Sequence, residues 1–81
     1  MQLSKQKELK LIKEIGVRIR ELRQERQLSQ FQLNIDANLS KNQIGRIERA
    51  EHIPNIITLY KIAESLDVSI SEIVDLKKNI I

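Results

Sequence analysis

The chain has no cysteine, and its 81 residues include only two glycines, one proline, one histidine, one phenylalanine and one tyrosine. Each shortage removes a class of protein. Without cysteine there is no disulfide framework and no thiolate metal site. His52 alone cannot build a zinc or haem centre, so no metal and no cofactor is expected. So little Gly, Pro and aromatic content argues against strands and their turns. No apolar run approaches the ~20 residues of a membrane span, so no membrane role is expected. Met1 to Lys7 is polar and lacks a secretory apolar core, which points to the cytoplasm. Enzyme activity is not expected either. There is no nucleophile–histidine pair at a workable spacing, no glycine-rich dinucleotide or phosphate loop, and no metal cluster.

What is present is a short, charged, isoleucine-rich chain. Apolar residues make up 41% and charged residues 31%, which fits a globular domain rather than disorder. This length supports one domain with a modest core and no deep substrate cleft. Net charge is +3, and the basic surplus sits in the first third, which carries eight Lys and Arg against four Glu. Such a bias suits a polyanion partner and equally suits a solvated helix face.

The isoleucines and leucines recur every three or four residues, the helical interval. Leu9, Ile12, Ile15, Ile19 and Leu22 mark a first helix over about residues 4–26, capped by Ser4 and supported by a Glu14–Arg18 pair. Gly16 inside it implies a close helix contact or a bend. Ser29 with Gln32 opens a second helix ending near Ala37, and Ser40 with Gln43 opens a third over about 40–49. Asn55 starts a fourth, with the stripe Ile56, Leu59, Ile62, Ala63 and Leu66. Ser69, with Glu72 completing a capping box, starts a fifth carrying Ile73, Val74 and Leu76. The expected fold is all-α: a compact five-helix bundle with an extended first helix. Residues 1–14 form the extension, 15–76 the domain and 77–81 a tail.

Helices two and three are short and joined through Asn38 and Leu39, the arrangement of a helix-turn-helix. Leu33, Ala37, Leu39, Ile44 and Ile47 supply the apolar residues that such a crossing needs. With those turned inward, Lys41, Asn42, Gln43 and Arg46 face outward at the start of helix three. Lys and Arg suit guanine O6 and N7; Asn and Gln suit adenine N6 and N7. The bland alternative for these four is a solvated helix face.

The runs Ile15-Gly16-Val17-Arg18-Ile19-Arg20-Glu21-Leu22-Arg23, Leu28-Ser29-Gln30 and Ile44-Gly45-Arg46-Ile47-Glu48-Arg49 resemble the phage repressor and Cro-type helix-turn-helix family, the xenobiotic-response-element (XRE) family. Pro54 to Ala63 and Val68 to Val74 resemble its fourth and fifth helices. The resemblance covers about residues 15–76. It implies a lambda-repressor-like domain that binds double-stranded DNA, usually as a homodimer on a palindromic operator, and regulates transcription. By this resemblance Lys41, Asn42 and Arg46, with Gln43 as a fourth, read bases. Gln30 meets a phosphate and braces helix three, while Ser29, Ser40, Arg49 and Asn55 lie where other phosphate contacts occur. Arg23 and Glu48 match a buried ion pair that is structural.

The chain departs from the family at several points. Gln27, Asn38 and Ala50 stand where glycine is common, and only Asn38 readily tolerates a left-handed backbone. Asn34 stands where alanine is usual and must find a hydrogen-bond partner or face solvent. Phe31 replaces a commonly charged residue; core packing, a surface position, a thymine-methyl contact and a dimer contact are all open to it. His52 reads as an ordinary loop residue or a phosphate contact, and Tyr60 as core with its hydroxyl at the surface. Ile70, Ile73, Val74, Leu76, Ile80 and Ile81 exceed what one short helix needs, so part of this set is available to a partner. The alternative function is a protein-interaction module, such as the antitoxin of a toxin–antitoxin pair, or a restriction–modification controller.

Overall fold

The computed structural model describes residues 4–75. They form α1 (Lys5–Glu25), α2 (Gln30–Asp36), α3 (Gln43–Glu48), α4 (Ile56–Leu66) and α5 (Ile70–Val74), with no strand among the described residues. Three helices begin as the sequence predicts. Ser4 Oγ accepts from Lys7 N–H at 3.2 Å, Ser29 Oγ from Gln32 N–H at 2.9 Å and Asn55 Oδ1 from Thr58 N–H at 2.8 Å. Each side-chain oxygen satisfies a donor that the first helical turn leaves free.

The other two beginnings differ from expectation. Ser69 makes no side-chain cap; its Oγ pairs with Ser71 Oγ at 2.8 Å instead. Helix α3 starts at Gln43 rather than near residue 40, because Asn42 sits at φ 65°, in the left-handed region. Lys41 and Asn42 therefore belong to the turn before the helix. The Gln43 carbonyl Oε1 folds back on Ser40, accepting from its hydroxyl at 2.8 Å and its N–H at 3.3 Å. The Ile44 N–H is taken up by Asn34 Oδ1 of α2 at 2.9 Å. Asn34, a departure from the family pattern, is buried and caps the neighbouring helix across the crossing.

Four helix ends share one closure. Gln27, Asn38, Ala50 and Asp67 have φ of 57°, 53°, 61° and 56°. The N–H of the following residue then bonds the carbonyl five positions back: Leu28 to Arg23 at 3.1 Å, Leu39 to Asn34 at 2.9 Å, Glu51 to Arg46 at 2.8 Å and Val68 to Ala63 at 3.0 Å. This is the Schellman closure, made here with no glycine at any of the four sites. Leu28, Leu39 and Val68 pack on the core as the hydrophobic anchor that accompanies the motif. Those anchors offset the left-handed strain, about 1–2 kcal/mol for an L-residue. Glu51 takes the same position after α3 but stays exposed.

The core draws on every helix: Ile19 and Leu22, Leu33 and Ala37, Ile44 and Ile47, Leu59, Ile62, Ala63 and Leu66, and Ile73. Gly16 sits where α1 crosses α3. A Cβ there would lie 2.6 Å from the Ile47 carbonyl oxygen and 2.9 Å from that of Glu48. The glycine therefore permits a close helix contact. Several expected core positions lie outside. Ile56, Tyr60 and Val74 are exposed, because Thr58, Leu59, Ile62 and Ile73 take the inward positions of their turns. Phe31 is exposed, and so is Leu9, where α1 runs past the body. Glu14 meets Lys10 at 4.0 Å rather than Arg18. Arg18 turns instead to Glu21 at 3.6 Å and donates from Nε to the Glu72 carbonyl at 3.0 Å, tying α1 to α5. Leu76, Ile80, Ile81 and the expected tail lie outside the described residues. No helix among the described residues is long and apolar enough to cross a membrane.

Candidate nucleic-acid interface

Helices α2 and α3 enclose an open cleft of about 610 Å³. Gln30, Phe31, Asn34 and Ile35 line it from α2; Lys41, Asn42, Arg46, Arg49 and Glu51 line it from the turn, α3 and the residues just after α3. The inward set explains this placement. Leu33, Ala37, Ile44 and Ile47 are buried and Leu39 half-buried, so the remaining face of α3 and its leading turn must point out. Lys41, Asn42 and Arg46 are exposed on that face. Three hydrogen-bonding side chains of different chemistry thus share one concave surface.

Gln43 does not join them. It is half-buried, bonds Ser40 and approaches His52 Nε2 at 3.5 Å. The Ser29 and Asn55 side chains cap their helices and, like Ser40, do not line the cleft. Gln30 and Arg49 do.

Behind the cleft, Arg23 and Glu48 form a two-pronged ion pair: Nε to Oε2 at 2.7 Å and Nη2 to Oε1 at 3.0 Å. Arg23 Nη1 also donates to the Leu28 carbonyl at 2.8 Å, and Gln30 Nε2 donates to Glu48 Oε1 at 3.0 Å. One network therefore joins α1, the turn after it, α2 and α3, and fixes the Gln30 amide at the cleft wall. Gly45 leaves room for it; a Cβ there would lie 3.1 Å from Gln30 Oε1 and 3.0 Å from Arg49 Nη1.

At the rim, Arg49 donates from Nε to Glu51 Oε2 at 2.8 Å and from Nη2 to Oε1 at 3.3 Å. The hydrogen bonds from Arg49 hold the Glu51 carboxyl below the usual carboxylate range, and the same bonds raise Arg49. An acid within a basic cleft is the feature that motif reading passed over. Its signal was positional, a charged residue at the one post-helical anchor site that is not apolar. Ile35 also went unremarked, although it lies four residues after Phe31 on the same face of α2.

The fold and this cleft define a helix-turn-helix protein of the transcription-regulator class. The chain belongs to the helix-turn-helix family HTH_3, whose model matches residues 19–73. It is 42% identical over 60 residues to the immunity repressor protein of Bacillus phage phi105, an overlap of 74% of this chain and 42% of the repressor. The chain thus spans less than half the length of that relative. Its fold is similar to the restriction-modification controller protein C.AhdI from Aeromonas hydrophila, with a TM-score of 0.75 and 31% identity over 76% of this chain and 94% of C.AhdI. It is also similar to an HTH_3 family transcriptional regulator from Vibrio cholerae, with a TM-score of 0.80 and 32% identity over 89% of this chain and 40% of that one.

Proposed function

We propose that the chain is a sequence-specific DNA-binding transcriptional regulator that presents α3 and its leading turn to the major groove and binds a palindromic operator as a homodimer. The observation that carries this reading is the cleft, where Lys41, Asn42 and Arg46 are exposed together on one concave surface. Arg46 suits a guanine edge through two parallel hydrogen bonds, Asn42 an adenine edge, and Lys41 a guanine or a phosphate. Gln30, held by Glu48, and Arg49 take phosphates at the cleft wall, which sets register without reading sequence. Ser29, Ser40 and Asn55 act as flanking phosphate contacts, and Gln43 serves the turn rather than a base.

A two-fold dimer would set its half-sites about 34 Å apart, one turn of duplex. Ile53, Ile56, Ile57 and Tyr60 leave an exposed apolar surface before and along α4, outside the cleft, and supply a face for the second copy. An occupied operator then excludes polymerase or recruits it. A restriction–modification controller and a phage-type repressor are both specific forms of this reading, since the chain is similar to one of each. Selection from random duplexes by the purified protein tests the reading. The expected product is one enriched motif with inverted symmetry; a motif without symmetry would remove the dimer, and no enrichment would remove sequence-specific binding.

A further inference from the structure

We infer that Phe31 and Ile35 form a second reading element, an apolar edge of the cleft that receives the C5-methyl group of a thymine in the bound half-site. The inference rests on the regulator reading above and adds a chemical preference to it. The two side chains lie four residues apart, hence on one face of α2. Phe31 is 72% and Ile35 55% exposed, while Leu33 and Ala37 of the same helix are buried. Both line the cleft that also holds Asn42 and Arg46. An apolar strip therefore faces hydrogen-bonding side chains across one groove.

The floor of the major groove offers the matching pattern. Purine edges present acceptors and donors, whereas thymine presents a methyl group, and phenylalanine is among the side chains that contact it. The charge of the opposite wall selects the occupant. Lys41 and Arg46, beside an Arg49 paired with Glu51, leave that wall net positive and suit a polyanion with an apolar spot. A second copy docked two-fold on this face would bring its own Lys41 and Arg46 against the same residues, because such a contact repeats one surface on both partners. DNA meets both requirements at once.

The test replaces thymine by deoxyuridine, one position at a time, in the duplex selected by the wild-type chain. Deoxyuridine keeps the O4 acceptor and loses only the methyl. The expected result is about a fourfold loss of wild-type affinity per contacted methyl, and no loss at the same position for Phe31→Ala. Ile35→Ser should shrink the loss. Both side chains are exposed, so both variants should unfold with the wild type, which circular dichroism checks. If no thymine position responds, or if Phe31→Ala and Ile35→Ser respond like the wild type, the inference is overturned while sequence-specific binding stands. It is also overturned if Phe31→Ala changes the sedimentation state with the methyl response intact, since the face would then belong to a second copy. Failure of the wild type to select any duplex would bring down the regulator reading, and this inference with it.

Discussion

Two arginine–glutamate pairs meet at the C-terminal end of α3, and their contacts are almost the same. Arg23 Nε reaches Glu48 Oε2 at 2.7 Å; Arg49 Nε reaches Glu51 Oε2 at 2.8 Å. Their surroundings are opposite. The Arg23 and Glu48 side chains are 11% and 3% exposed, those of Arg49 and Glu51 55% and 53%. Glu48 also binds Gln30, and Arg23 the Leu28 carbonyl, so the buried pair ties four segments together. The exposed pair joins two residues either side of Ala50, whose left-handed backbone brings them together. Ion-pair geometry therefore does not assign a role here. Burial does: one pair holds the helices in place, and the other holds a cation that water or phosphate can release.

On that contrast, buried groups on α3 move stability and exposed ones move binding. Glu48→Ala leaves Arg23 buried and uncompensated, and should lower unfolding free energy in urea titrations by about 3–5 kcal/mol. The double change Arg23→Met with Glu48→Leu should recover much of that loss, with base preference unchanged; a stability no better than that of Glu48→Ala would break the contrast. Arg46→Ala should leave the urea midpoint unchanged and cost about 1–3 kcal/mol of binding at one base position, measured with single-substitution duplexes. Asn34→Ala removes the cap on Ile44 N–H and should cost about 1 kcal/mol of stability, again by urea titration.

Glu51→Gln should have the smallest effect. The urea midpoint should not move, and affinity should rise modestly for every duplex alike in gel-shift titrations, since Arg49 is freed and the cleft loses a negative charge. The pH dependence follows from the lowered Glu51 carboxyl. Glu51 stays ionised and paired through the usual carboxylate range, and the pair is lost as pH falls through its lowered value. The difference between wild type and Glu51→Gln should therefore persist in mild acid and close only below that range.

Much of the fold was legible because helical periodicity and capping are local. Ser4, Ser29 and Asn55 cap the helices that their spacing announces, and Leu33, Ala37, Ile44 and Ile47 are buried where the crossing needs them. The resemblance also paired Arg23 with Glu48, which lie together in the structure. What stayed hidden depends on tertiary partners. The late start of α3 follows from the left-handed Asn42 and from the Asn34 oxygen arriving from α2, and no interval within 40–49 encodes that. Tyr60 and Ile56 satisfy a helical stripe about as well as their buried neighbours do, and only the position of the other helices decides which residues face inward. Gln27 and Ala50 show that a glycine-free turn can still close left-handed when the hydrogen bond five residues back is available.

The cleft as the DNA-facing surface is tested most directly by titrating isotope-labelled protein with its selected duplex and following amide resonances. Large shifts should gather at Gln30, Lys41, Asn42, Arg46 and Arg49. Shifts centred on Ile56, Ile57 and Tyr60, with Lys41 to Arg46 unmoved, would place the duplex elsewhere and contradict the role given to α3.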